Sequence, residues 1–293
     1  MKTPRVLVVG DVVHDILVTL SMPLRHNTDT PAHIHRSSGG SAANTAVWLS
    51  HLGVDADFVG RVGAEDVARF ENQFRATGVS AHLSADAENH TGSIVIVVEG
   101  ESRTMLTDRG ANTQLDFGAI DAGLVTQSSW VHLTGYSMFH HSRPEAIPEF
   151  ISSARGAGAQ VMMDASSSGF LEDFGAKRFL EFAAEVSLLR CNAEEALMLA
   201  DQESVSDSVA VLGKRFPVVV VTQGPEGVWV SQGNPPTLIP VTHPLTSVDP
   251  TGAGDSFNAG LLAGLTRQES VVNAVGQGIA VAGECITRVG ARP

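Results

Sequence analysis

The stretch DPTGAGDSFNAGLLAGL, Asp249 to Leu265, sets an aspartate behind a turn of small residues and ahead of a long apolar run. Gly252, Ala253 and Gly254 keep side chains out of the way, so backbone N–H groups can converge on one point. If the apolar run is a helix, its first turn adds unpaired donors and the positive end of the helix dipole. Together these make an anion hole where charge can develop on a phosphate. Asp255 then has two readings: a cap of its own helix, or a general base facing the anion hole. The absence of a following Gly-Lys-Ser/Thr excludes a Walker A loop. Two weaker patterns could cooperate with it. CNAEEA places Asn192 three residues before Glu195, which by itself reads as a helix cap. VTQGPEG spaces Thr222, Gly224 and Gly227 as a strand-to-turn glycine pair.

These loops need a scaffold. RVLVVG (5–10) is a β-branched run closed by glycine, as a buried parallel strand reads. GGSAANTAVWLSHLG (39–53) has helical spacing and stops at glycine. DADFVGRVG is a second strand, and AEDVARFENQFRATG a second helix. Further strands are SWVHLTG, AQVMMDAS, VSLLRCN and PVVVVTQG, interleaved with helices RPEAIPEFISSARGAG and AEEALMLAD. GVWVSQG with PTLIPV resembles a hairpin, and two Ala/Gly-rich helices follow at roughly 254–266 and 270–286. The alternation predicts a three-layer α/β/α fold around a mainly parallel sheet. Segments within 12–37 and 92–107 alternate polar and apolar residues and predict a separate small β-sheet, a lid, with a hairpin at Glu99-Gly100-Glu101. One domain over 1–293 plus the lid is the simplest organisation. In such a sheet, ligands bind where strands end, which is where the three loops above fall.

Composition narrows the function. Hydrophobic residues are 43% and charged residues 17% of 293, enough for a large core. Lys plus Arg is 19 against 32 Asp plus Glu, a formal charge of −13. That argues against non-specific nucleic-acid binding, which depends on cations displacing counterions. No run reaches the roughly 18 apolar residues of a membrane span, and MKTPRVLVVGDVVHD lacks a signal-peptide pattern. The expectation is a cytoplasmic protein with no membrane or nucleic-acid partner. Cys191 and Cys285 stand too far apart in sequence for a metal spacing and read as buried thiols. His33 and His35 would share a strand face, but no cysteine or H-E-x-x-H pattern joins them or His26, His140 and His141.

DPTGAGDSFNAGLLAGL closely resembles the C-terminal signature of the PfkB family, the ribokinase-like sugar and nucleoside kinases, through Asp249, Thr251, Gly252, Ala253, Gly254, Asp255, Phe257 and Gly260. GGSAANTAVWLSHLG, followed by FVGRVGAEDVARF, resembles the family's glycine-rich signature nearer the N-terminus. The resemblance covers nearly the whole chain. It implies ATP-dependent phosphorylation of a hydroxyl on a small sugar-like substrate. Asp255 would be the base, and Gly252, Ala253 and Gly254 would stabilise the transferred phosphoryl group. It implies that Asn192 and Glu195 help hold Mg²⁺ and the phosphates, partly through water, which suits a hard cation that keeps its waters. Thr222, Gly224 and Gly227 would lie along the nucleotide phosphates, and the segment near 273–282 beside the adenine. Asp15 would grip substrate hydroxyls, with Gly39, Gly40 and Asn44 under the sugar. Val13 stands where many ribose kinases carry Asn, a departure that argues against strict ribose specificity. Arg109, in DRGAN, faces the substrate, the phosphates or a neighbouring carboxylate. Asp249 and Thr251 resemble positions near a monovalent-cation site, with K⁺ the candidate. The lid's one-sided strands need cover, so pairing of two lids in a homodimer is expected.

Two rivals stand beside this reading. A nucleoside kinase, of adenosine, inosine or pseudouridine type, needs an apolar surface for the base, and Trp130, Tyr136 or Phe139 could supply it. A ligand-binding homologue without catalysis would have no need of a general base. A nicotinamide enzyme fails because VLVVGDVVHD has no G-x-G-x-x-G turn.

Overall fold

The computed structural model describes residues 5–100, 102–233 and 235–293, without the side chains of 102 and 103. The described strands are β1 (Arg5–Val9), β2 (Val13–Leu20), β3 (Ala32–Gly39), β4 (Asp55–Gly63), β5 (Ser80–Asp86), β6 (Thr91–Glu99), β7 (Ser102–Gly110), β8 (Trp130–Thr134), β9 (Gln160–Asp164), β10 (Leu188–Asn192), β11 (Val218–Thr222), β12 (Val228–Ser231) and β13 (Thr237–Ile239). The helices are α1 (Ser41–His51), α2 (Val67–Ala76), α3 (Ala122–Gln127), α4 (Ala146–Gly156), α5 (Ser168–Phe174), α6 (Ala176–Phe182), α7 (Ala193–Ala200), α8 (Val205–Leu212), α9 (Ala253–Thr266) and α10 (Val271–Cys285). Nine strands form one sheet in the order β13-β12-β11-β10-β9-β8-β1-β4-β5. It is parallel except at β11–β12 and β12–β13.

Strand β1 shows why three layers form. Its alternation puts Val6 and Val8 on one face and Leu7 and Val9 on the other, all fully buried. Val6 and Val8 pack with α1, α2, α9 and α10, whereas Leu7 and Val9 pack with α3 to α8. Each face of the sheet therefore has its own core, and every β1 side chain after Arg5 is apolar. The Ala/Gly content of α9 and α10 has a packing cause. A Cβ on Gly260 would lie 2.8 Å from the backbone of Gln277 and Gly278, so the two helices approach closely only because that side chain is missing.

The second sheet, in the order β3-β2-β6-β7, occupies the segments that the alternation marked. It carries the expected β6–β7 hairpin, of which Glu101 lies outside the described residues. Register puts Asp15 opposite Ser37 on one side and Ile94 on the other, so the face that holds Asp15 also holds Ile94, Ile96 and Met105.

Several elements escape the sequence reading. Edge strand β5, SAHLSAD, pairs only β4 in the large sheet and is mostly polar, so it has no buried run to announce it. Helices α3, α5, α6 and α8 have six to eight residues, too short for a clear period. Caps fix some of them: Ser167 Oγ accepts from Phe170 N–H and Ser204 Oγ from Asp207 N–H.

Candidate active site

Loops after β1, β9, β10 and β11 converge with the start of α9 on a cleft of about 1190 Å³, and the small sheet closes one end of it. The cleft collects Asp15, Gly40, Asn44, Arg109, Asn192, Glu195, Thr222, Gly224, Gly227, Thr251, Gly252, Ala253, Gly254 and Asp255, residues spread over 240 positions of sequence. Two expected site residues sit behind the surface. Gly39 backs onto the Asp15 carboxylate, which fills the space a Cβ would need. Asp249 is buried, and its carboxylate accepts from Thr251 N–H (2.9 Å), Thr251 Oγ (2.6 Å) and Gly290 N–H (3.1 Å).

Gly252 begins α9 at φ 81°, a conformation that glycine adopts without strain, and a Cβ there would meet Ala291 at 2.6 Å. Ala253 N–H donates to Pro250 O at 3.2 Å and Ser256 N–H to Gly252 O at 2.9 Å. Between them, the amides of Gly254 and Asp255 belong to the first turn, where no intrahelical acceptor exists. Asp255 makes no cap to its own helix. Its carboxylate accepts instead from Ser41 Oγ at 2.6 Å and Asn44 Nδ2 at 2.9 Å, both on α1. Burial raises its pKa to about 7; the Ser41 and Asn44 bonds oppose the shift, and the Asp164 and Asp11 charges add to it. A carboxylate with that pKa gains and loses a proton near neutrality, as a general base must. Activity that depends on ionised Asp255 should therefore rise as pH increases through about 7 and level off above it. A kcat profile flat from pH 5.5 to 8.5 would contradict this.

Asp15 lies across the cleft. Burial raises its pKa to about 6, with Arg292 opposing. Its face of the small sheet adds the apolar Ile94, Ile96 and Met105 to the wall. A carboxylate above an apolar floor suits the hydroxyls and ring carbons of a polyol. Asp15→Asn should raise the acceptor KM by roughly 10- to 100-fold, the worth of one or two hydrogen bonds to a charged group. The KM for the phosphoryl donor should stay within a factor of about two, because the other end of the cleft is untouched. Saturation curves in each substrate check this.

Arg109 is buried, with its guanidinium 3.7 Å from Asp11, hydrogen-bonded to Tyr136 O at 3.1 Å and 4.9 Å from the Tyr136 ring centroid. Of its three expected faces, the structure records the neighbouring carboxylate, while the residue still lines the cleft. Asn192 and Glu195 form a reciprocal capping box on α7: Asn192 Oδ1 accepts from Glu195 N–H at 2.9 Å, and Glu195 Oε2 from Asn192 N–H at 2.8 Å. Both also face the cleft. Burial raises Glu195 to about 7, with the Asp164 charge adding and Arg190 opposing. Among the described residues no cluster of three or more His, Cys, Asp or Glu could hold a metal, and both cysteines are buried and free. The wall that α10 contributes to the cleft includes Gly276, Ile279 and Gly283.

Four positions lining the cleft are not singled out by sequence reasoning. Asp11 spans to the start of α1, accepting from Ser41 N–H and Ala42 N–H at 3.2 Å each. Ser41 supplies the shortest bond to Asp255. Asp164 and Arg190 form a buried pair at 3.0 Å beside the first turn of α9. Arg190 Nη2 also donates to Thr222 Oγ at 3.1 Å, and a Cβ on Gly254 would sit 3.3 Å from Nη1. The available signal was position: Asp11 follows β1, Asp164 closes β9 and Arg190 lies within β10, in the part of the sheet that faces the cleft. Of the aromatics considered for a base, Tyr136 lines the cleft, while Phe139 is in the core on one face of the large sheet and Trp130 packs against the core on the other.

A family model described as pfkB family carbohydrate kinase matches residues 3–293. The chain is 27% identical over 270 residues to a fructokinase from Vibrio alginolyticus, covering 90% of this chain and 84% of that protein. A probable sugar kinase from Rhizobium etli superposes with a TM-score of 0.88 at 26% identity, over 100% of this chain and 96% of the other. An adenosine kinase from Sinorhizobium meliloti superposes with a TM-score of 0.87 at 27% identity, with the same coverage.

Proposed function

Because the chain belongs to the PfkB family of carbohydrate kinases, we propose that its cleft transfers the γ-phosphoryl group of ATP to a hydroxyl of a small sugar or sugar-like acceptor, with Asp255 as the base. The observation that carries this reading is the Asp255 carboxylate. It sits at the start of α9, bound by Ser41 and Asn44, with a pKa near neutrality and in the same cleft as Arg190. Phosphoryl transfer asks a protein for position and charge stabilisation more than for covalent chemistry. Asp15 orients the acceptor hydroxyls, and Asp255 takes the proton of the attacking one. The first-turn amides of α9 and the Arg190 guanidinium face the charge that develops on the phosphoryl oxygens. Thr222 and the Gly224–Gly227 turn lie along the phosphates. The small sheet covers the acceptor and excludes water, which would otherwise compete as nucleophile.

Mg²⁺ supplies charge neutralisation at the phosphates when bound. Asn192 and Glu195 offer it oxygen donors only, a set that suits a hard cation through its water shell. The Asp249–Thr251 turn is the proposed place of K⁺, the cation tuning the loop that leads to Gly252. Assays at equal ionic strength should run faster in potassium chloride than in choline chloride, and equal rates would remove K⁺ from the account.

A nucleoside acceptor is the second reading, favoured by Tyr136 in the cleft and by the likeness to an adenosine kinase. Incubation with ATP and Mg²⁺ across free sugars, sugar phosphates and nucleosides, read by phosphorus NMR of the products, separates the two. A new sugar phosphate ester supports the first, and a nucleoside monophosphate replaces it with the second.

A further inference from the structure

Arg292 lies outside both sequence signatures, yet its side chain reaches the catalytic carboxylate's support. Its Nε–H donates to Asn44 Oδ1 at 2.8 Å and its Nη2 to Gly39 O at 3.2 Å. Asn44 in turn donates from Nδ2 to Asp255 at 2.9 Å. A guanidinium has donors and no acceptor, so only the oxygen of the Asn44 amide can face it. The NH₂ group is thereby forced to the other side, toward Asp255. We propose that Arg292 is a positioning residue that locks the Asn44 amide in the one orientation that donates to Asp255.

Without that lock the amide can turn over. Asn44 would then present its oxygen to the Asp255 carboxylate, and a stabilising donor would become a repelling acceptor. The direct charge of Arg292 acts in the same direction, since it faces both Asp15 and Asp255, although burial draws its own pKa down to about 10. The other titratable groups around Asp255 are Asp11 from the β1–β2 loop, Asp164 at the end of β9, Tyr136 after β8 and Cys285 of α10, with Arg190 of β10 behind Gly254. Arg292 thus brings a cation to the α1 side of the carboxylate.

The inference deepens the reading of Asp255 as the base, so its test includes a readout that needs no turnover. Protein labelled with ¹³C at the Asp carboxyls is titrated by NMR, with the Asp255 signal assigned by its loss in Asp255→Asn. Arg292→Ala should raise the Asp255 midpoint by about one unit, the usual effect of losing a donor and a nearby opposite charge. In an Asn44→Ala background the same change should move it less than half as far, because the amide that transmits the effect is gone. Arg292→Lys should restore the wild-type midpoint, and Arg292→Gln replaces Arg292→Ala if the latter loses its native melting transition. An active enzyme should show the same displacement in its kcat–pH profile, a roughly fivefold loss at pH 7 recovered at pH 9, with KM for ATP unchanged. An unmoved midpoint, or an equal shift in the Asn44→Ala background, would overturn the proposal. A shifted midpoint in a protein that phosphorylates nothing would leave Arg292 in place and remove the kinase reading instead.

Discussion

Asp255→Asn is expected to lower kcat by about three orders of magnitude, within the range that a positioned general base contributes. The side chain keeps its shape and loses its ability to take a proton. KM for ATP should change by less than about threefold, since in the proposed mechanism the phosphate contacts come from backbone and from other loops. The same variant should melt at or above the wild-type temperature at pH 8. Burial holds the folded pKa of Asp255 up at about 7 against 3.8 for the free group. A raised acid pKa means the folded state binds the proton more tightly, so ionisation above that pKa works against folding. Removing the charge removes that cost, as happens where activity and stability make opposing demands on one residue. Steady-state ADP release with calorimetry at pH 8 checks both halves. A variant that is slow only because it is unfolded would refute the assignment of a chemical role.

Arg190→Met should cost about 3–5 kcal/mol of stability, the usual penalty for breaking a buried ion pair from one side. Arg190 and Asp164 are 7% and 2% exposed, and Asp164 accepts from Arg190 Nη1 at 3.0 and 3.1 Å. Methionine fills the volume and leaves Asp164 with the donors of Asn258 and Ser166 but no cation. The double variant Arg190→Met with Asp164→Asn should recover most of the lost stability, because replacing both charges is often close to neutral. Activity should not recover. In the proposed mechanism the guanidinium beside Gly254 faces the developing phosphoryl charge, and its removal should still cost about 10²–10³ in kcat, as for other preorganised charge stabilisers. Chemical denaturation and turnover, measured on the single and double variants, separate the two roles. Recovery of activity together with stability would reduce Arg190 to a structural residue.

The fold was legible where a residue's environment is written into its neighbours. RVLVV has apolar residues at successive positions because both faces of β1 are covered, and that doubled burial is visible as a run. The small sheet was legible for the opposite reason, through alternation. Edge strand β5 and the short helices α3, α5, α6 and α8 were not, because their stability comes from tertiary contacts and single caps rather than from a period. The cleft shows the same division. Asp255, Gly252 and Gly254 stand together in sequence, so the local chemistry was readable. Their support was not. Ser41, Arg190 and Arg292 come from 214, 65 and 37 positions away, each with an ordinary local sequence, and only the tertiary fold brings them together. Asn192 and Glu195 show a further limit. The same spacing describes a capping box and a phosphate-facing pair, and in the structure the two residues form the box while lining the cleft.

The central claim is that this cleft moves a phosphoryl group from ATP to a hydroxyl with Asp255 as the base. The most direct measurement is acceptor-dependent ADP formation, with wild type and Asp255→Asn side by side at pH 8 in Mg²⁺. The account predicts a rate that appears only when an acceptor is added, falls about a thousandfold in the variant, and is accompanied by unchanged ATP binding in both proteins. Equal acceptor-dependent rates in the two proteins would contradict it.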